Sequence, residues 1–78
     1  MDNEDNMNTL EFRVKKITGG AFDGYYQIIS CTAVVPPSVR MIEFENHAYS
    51  MDHIKKRGQE IIETDSRMEG YKVKITVV

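Results

Sequence analysis

The chain is short of the residues and runs that usually announce a function. It carries one cysteine, Cys31, in 78 residues, which excludes an internal disulfide and leaves any zinc site three thiolates short. His47 and His53 are the only histidines, and no C-x-x-C or H-x-x-x-H spacing exists to complete a site around them. No apolar run approaches the roughly 18 residues that a membrane span needs. The amino-terminal residues Asp2, Asn3, Glu4, Asp5 and Asn6 do not follow the basic-then-apolar order of a secretory signal. An excess of one charge is missing too. Ten basic residues face twelve acidic ones for a net charge of −2, so there is no global attraction to nucleic acid or to anionic lipid. These absences lead us to expect a cytoplasmic, reducing setting and no cofactor. Cys31, inside an apolar stretch, reads as an inert small hydrophobe.

What is present is alternation. Over residues 71–78, Tyr71, Val73, Ile75 and Val77 fall on one side and Lys72, Lys74 and Thr76 on the other, the period of a half-buried strand. Leu10, Phe12 and Val14 alternate in the same way with Glu11, Arg13 and Lys15, giving a first strand that ends near Thr18. Residues 19–24 hold three glycines and read as a long hairpin turn, not a phosphate-binding loop, which would need a Lys-Ser/Thr helix start after it. A second strand covers residues 25–35 and ends at Pro36 and Pro37. A short third strand covers residues 39–45, with Ile42 and Phe44 inward.

Between the third and last strands the period changes. From Met51 to Thr64, apolar residues stand at Met51, Ile54, Ile61 and Ile62, with Gly58 on the same stripe, which is helical spacing. Ser50 is placed to cap that helix and Asp52 to complement its dipole. Gly58 costs helix propensity, so its place on the stripe predicts a close approach to the sheet. The fold class follows: a small α+β domain over residues 9–78, of order β-β-β-α-β, with one four-stranded mixed sheet and a single helix on one face. Residues 1–8 read as a disordered acidic tail. The helix crossover predicts strands three and four side by side, with Glu43 and Glu45 neutralising Lys72 and Lys74.

A small domain of this size buries only about 60% of its unfolded surface. With disulfide and metal excluded, association with a partner chain is the remaining supplement to its core. The second strand shows where. Neither of its faces carries a charge, yet one helix covers only one side of the sheet. Tyr25, Tyr26, Ile28, Ile29 and Met41 are therefore the candidate partner-binding residues. Three other constellations compete. Arg13, Lys15, Lys72 and Lys74, with a tyrosine for stacking, form a candidate nucleic-acid surface. Lys55, Lys56 and Arg57 form a second basic group on the helix. Glu43, Glu45, His47 and His53 form a carboxylate–imidazole group, but no nucleophile accompanies it and no catalytic residue is assigned.

The β-β-β-α-β order resembles the partial double-stranded-RNA-binding-like fold of antitoxins. However, Val34-Val35-Pro36-Pro37-Ser38 stands where that group has Pro-Asp-x-Pro-Gly. The likeness is one of topology and carries no function. The sequence thus predicts a non-enzymatic protein-binding domain, accessory or inhibitory in role, of the kind a phage or mobile element encodes. It predicts a homodimer, a protein partner and no membrane, with nucleic-acid regulation as the alternative.

Overall fold

Every alternating stretch becomes a strand in the computed structural model, which describes residues 8–78. The elements are β1 (Thr9–Lys16), β2 (Tyr26–Val35), β3 (Ser38–Met41), α1 (Met51–Thr64), a 3-10 turn (Ser66–Met68) and β4 (Lys72–Val77). The strands form one mixed sheet in the order β3-β2-β1-β4. β1 and β2 run antiparallel, as do β2 and β3, while β1 and β4 run parallel. Residues 1–7 of the expected tail lie outside the described residues. Asn8 already joins the sheet by accepting a hydrogen bond from the Lys72 N–H at 3.0 Å.

The helix begins where the capping residue puts it. Ser50 Oγ accepts the His53 N–H at 3.1 Å, and Asp52 lies in the first turn. Its buried residues, Ile54, Gly58 and Ile62, are spaced four apart and so form one stripe. That stripe rests on the sheet, where Leu10, Phe12, Val14, Cys31, Ala33 and Val35 are buried. A Cβ at Gly58 would stand 2.8 Å from Val73 Cγ2 and 2.9 Å from Phe12 Cε1, so any larger residue forces the helix off the sheet. Met51 and Ile61 sit on the flanks of the stripe, half-buried.

Two expectations need correction. β4 pairs with β1, not with β3, which occupies the opposite edge. Lys74 accordingly faces Glu11 across the ladder and Lys72 faces Thr9, so Glu43 and Glu45 neutralise neither lysine. β1 offers β4 a longer, fully apolar row to align with, Leu10 to Val73, Phe12 to Ile75 and Val14 to Val77. β3 is also shorter than residues 39–45. The alternation of Ile42 and Phe44 continues, but after the Ile42 N–H bonds the Cys31 carbonyl (2.9 Å) the chain leaves the sheet edge. Phe44 then packs edge-on to Phe12 and Tyr49, with ring centroids 5.5 and 6.1 Å away. Buried Tyr49 returns the chain to β2 through a two-way backbone bridge with Tyr26, both bonds 2.8 Å. Burial of aromatic surface outweighs two further ladder bonds here.

A bulge in β2 settles which of its faces is which. Arg13 pairs with Ser30 but Val14 pairs with Ile28, leaving Ile29 as the extra residue. One inserted residue reverses the side-chain parity beyond it. The inward set is therefore Cys31, Ala33 and Val35 on one side of the bulge, and Ile28 and Tyr26 on the other. This is why both faces of β2 look apolar in sequence.

Candidate functional site

The helix covers one side of the sheet, and the other side is divided in two. Parity places Glu11, Arg13 and Lys15 of β1 and Lys72, Lys74 and Thr76 of β4 on the uncovered side, over adjacent strands. From β2 and β3 the same side receives Ile29, Ser30, Thr32, Val34, Val39 and Met41, through the pairs Thr32–Met41 and Val34–Val39. One half is charged and the strand residues of the other are uncharged, with Glu43 at its border just past β3.

The uncharged half is the candidate site. Met41 is 75% exposed, Val39 61%, Ile29 54% and Val34 38%. Ile29 and Met41 line a common cleft of about 290 Å³ with Ser30 and Glu43, formed where β3 parts from β2. Below it, Val34 and Thr32 border a second hollow of about 240 Å³ that reaches Glu11 and Lys74. The apolar strip is thus continuous from Val39 to Ile29 and ends against charge. Of the five residues the sequence nominated, Ile29 and Met41 lie on this strip. Tyr26 and Ile28 do not: the bulge turns both toward the helix side, where they pack against the core. Tyr25 is exposed beyond the strand end and stacks edge-on with Phe22, centroids 6.0 Å apart. Val34 and Val39 were missed. The signal for Val39 is its place two residues after Pro37 in a tight turn, opposite Val34.

The four cations Arg13, Lys15, Lys72 and Lys74 share the open side of two neighbouring strands but are strung along it, Lys72 opposite Thr9 and Lys74 opposite Glu11. Glu11 lies among them and accepts the Thr76 hydroxyl at 2.8 Å. Among the described residues, Tyr25, 43% exposed just before β2 and of the same parity as Gln27, which pairs with Lys15, is the one exposed tyrosine for a base to stack on. Tyr71, at the start of β4, is half-buried against the core and donates its hydroxyl to the Val34 carbonyl at 2.6 Å.

The carboxylate–imidazole group is dispersed. His47 Nε2 meets Glu45 Oε1 at 2.8 Å, whereas the His53 ring lies against Tyr49, 5.3 Å between centroids. Among the described residues, no group of three or more His, Cys, Asp or Glu side chains gathers as a metal would require. Cys31 is 1% exposed, and burial pushes its thiol up to about 12 against a smaller opposing pull from Arg40. It is a core side chain and stays protonated. Among the described residues, no helix is long and apolar enough to cross a membrane.

Comparisons with protein-family models, with curated proteins and with solved structures find no match to this chain.

Proposed function

We propose that this is a non-enzymatic, cytoplasmic protein-binding domain, accessory or inhibitory in role, that docks a partner protein on the uncharged half of its open sheet side. One observation carries the reading. Ile29, Val34, Val39 and Met41 are exposed along β2 and β3, with Glu43 as the charged side chain at the Ile29–Met41 end. Solvent-facing positions of an antiparallel strand are ordinarily polar, and contiguous exposed apolar residues mark interaction sites. A second copy is the first occupant to consider, since an uncharged strip meets its own copy without repulsion.

Met41→Glu tests the reading, because it places a carboxylate in the strip at a position already in solvent. The wild type is expected to sediment as a dimer at micromolar concentration or to retain a protein from its native cell, and Met41→Glu to lose that association while melting normally. A monomeric wild type whose retained proteins are the same as those of Met41→Glu would refute it.

The nucleic-acid alternative is supported by the adjacency of Arg13, Lys15, Lys72 and Lys74 on β1 and β4. It is weakened by Glu11 in their midst. Salt separates the two readings. Phosphate contacts weaken steeply between about 50 and 200 mM salt, and an apolar interface does not.

A further inference from the structure

We propose that the free edge of β4 takes up an extended segment of a partner protein in which apolar and acidic side chains alternate. This surface is separate from the uncharged strip and does not depend on it.

Among the described residues, β4 is paired on one side only. The Lys72 N–H donates to Asn8 and the Val78 N–H to Val14, so in this parallel ladder the even-numbered residues direct their backbone groups toward β1. Val73, Ile75 and Val77 therefore direct theirs outward, to the unpaired edge. A strand laid there meets donors and acceptors at a regular spacing, the arrangement that strand addition uses.

The two sides of that edge differ. On the helix side runs a groove of about 630 Å³ lined by Met51, Lys55, Gln59, Tyr71, Lys72, Val73 and Ile75, whose charges are both cationic. A second groove of about 660 Å³ shares Gln59, Tyr71 and Lys72 with it but turns away past Ile62 toward Glu63, Asp65 and Glu69. Every other side chain of an added strand would enter the first groove, against Tyr71, Val73 and Ile75. The intervening side chains would emerge on the open side, beside Lys72 and Lys74. Glu11 is the one carboxylate set against those lysines in the ladder, and it already accepts the Thr76 hydroxyl. The charge complement is acidic.

The same lysines argue against a second copy at this edge. Antiparallel pairing of β4 with its own copy would place four lysines on one side of a two-strand ribbon, and like charges across a ladder repel. The chain does contain one segment of the right alternation, Ile42-Glu43-Phe44-Glu45. Its Ile42 and Phe44 are already packed on their own core.

The test uses the full chain and a fluorescein-labelled peptide, Glu-Val-Glu-Ile-Glu-Val-Glu, with the lysine counterpart Lys-Val-Lys-Ile-Lys-Val-Lys. The acidic peptide is expected to bind at least about tenfold more tightly and to slow amide exchange at Val73, Ile75 and Val77. A third peptide with proline at its centre removes one ladder donor and is expected to bind more weakly. The double variant Lys72→Glu, Lys74→Glu is expected to reverse the preference toward the lysine peptide. Equal affinity for the two charged peptides overturns the proposal, as does exchange protection at Ser38–Met41 in place of β4. So does the absence of binding at about 1 mM peptide, or sedimentation of the chain as an oligomer that protects β4 by itself.

Discussion

The covered and open sides of the sheet obey different rules, although the same four strands build both. On the covered side β1, β2 and β4 contribute apolar residues, and Leu10, Phe12 and Val14 have no exposed surface. On the open side the character changes with the strand, from Val39 and Met41 at one edge to Lys72 and Lys74 at the other. Packing against one helix imposes a single requirement on β1, β2 and β4. Facing water imposes none, so the gradient on the open side is free to serve recognition. On the two proposals made above, its ends would take different partners, an apolar surface at β3 and an acidic strand at β4.

Truncation of the helix stripe should separate the two sides most sharply. Ile62 is 6% exposed and Ile61, next to it, is half-buried on the flank. Ile62→Ala is expected to cost about 2–5 kcal/mol, enough to unfold much of a marginal domain, and Ile61→Ala about 1 kcal/mol. Chemical denaturation of the two variants checks this. Equal losses would show that the stripe is rotated from Ile54, Gly58 and Ile62.

A pair of lysine substitutions at neighbouring positions tests the bulge itself. Ile28→Lys places an ammonium against the core and is expected to cost about 1–3 kcal/mol, while Ile29→Lys stays within about 0.5 kcal/mol. The reverse order in thermal melts would place Ile29 inside and dissolve the uncharged strip.

These pairs also mark how far the sequence could be read. Alternation at Leu10 to Val14 and at Tyr71 to Val77, helical spacing from Met51, the Ser50 cap and the close approach at Gly58 are all local signals, and each appears in the fold. The partner of β4 is a non-local choice. Glu43 and Glu45 looked like the complement of Lys72 and Lys74, but the apolar rows shared with β1 decided the pairing. The bulge is invisible for a related reason. Nothing in Ile28-Ile29-Ser30 says which residue is extra, since both isoleucines are compatible with burial. Two of the five nominated binding residues, Tyr26 and Ile28, were misplaced by that one inserted position. β3 was overextended because Ile42 and Phe44 keep strand parity after the backbone has left the sheet.

The smallest expected effect concerns Arg40, which with Ser38 has the covered-side parity in β3. Arg40 pairs with buried Ala33 across the ladder and reaches the Asp65 carboxylate at the end of α1. Asp65 also accepts the Arg67 N–H at 3.0 Å and the Arg67 Nε at 3.3 Å. These bonds from Arg67 hold its carboxyl below the usual carboxylate range against an opposing desolvation, with smaller contributions from the charges of Arg67 and Arg40. The sign follows from linkage. A carboxylate whose folded pKa is depressed stabilises the fold above its unfolded value, about pH 4, and that contribution disappears as pH falls through the folded value. Asp65→Asn should therefore lower the melting temperature modestly at pH 7 and leave it nearly unchanged relative to wild type at pH 2. Exchange at the Ser38–Met41 amides should quicken in the same variant, because the link that ties the neutral edge to the helix is weakened, while exchange in β4 should not change. Wild type and variant melting curves that stay parallel from pH 7 to pH 2 would mean that Asp65 holds neither arginine in solution. The neutral edge would then be anchored by its ladder with β2 alone.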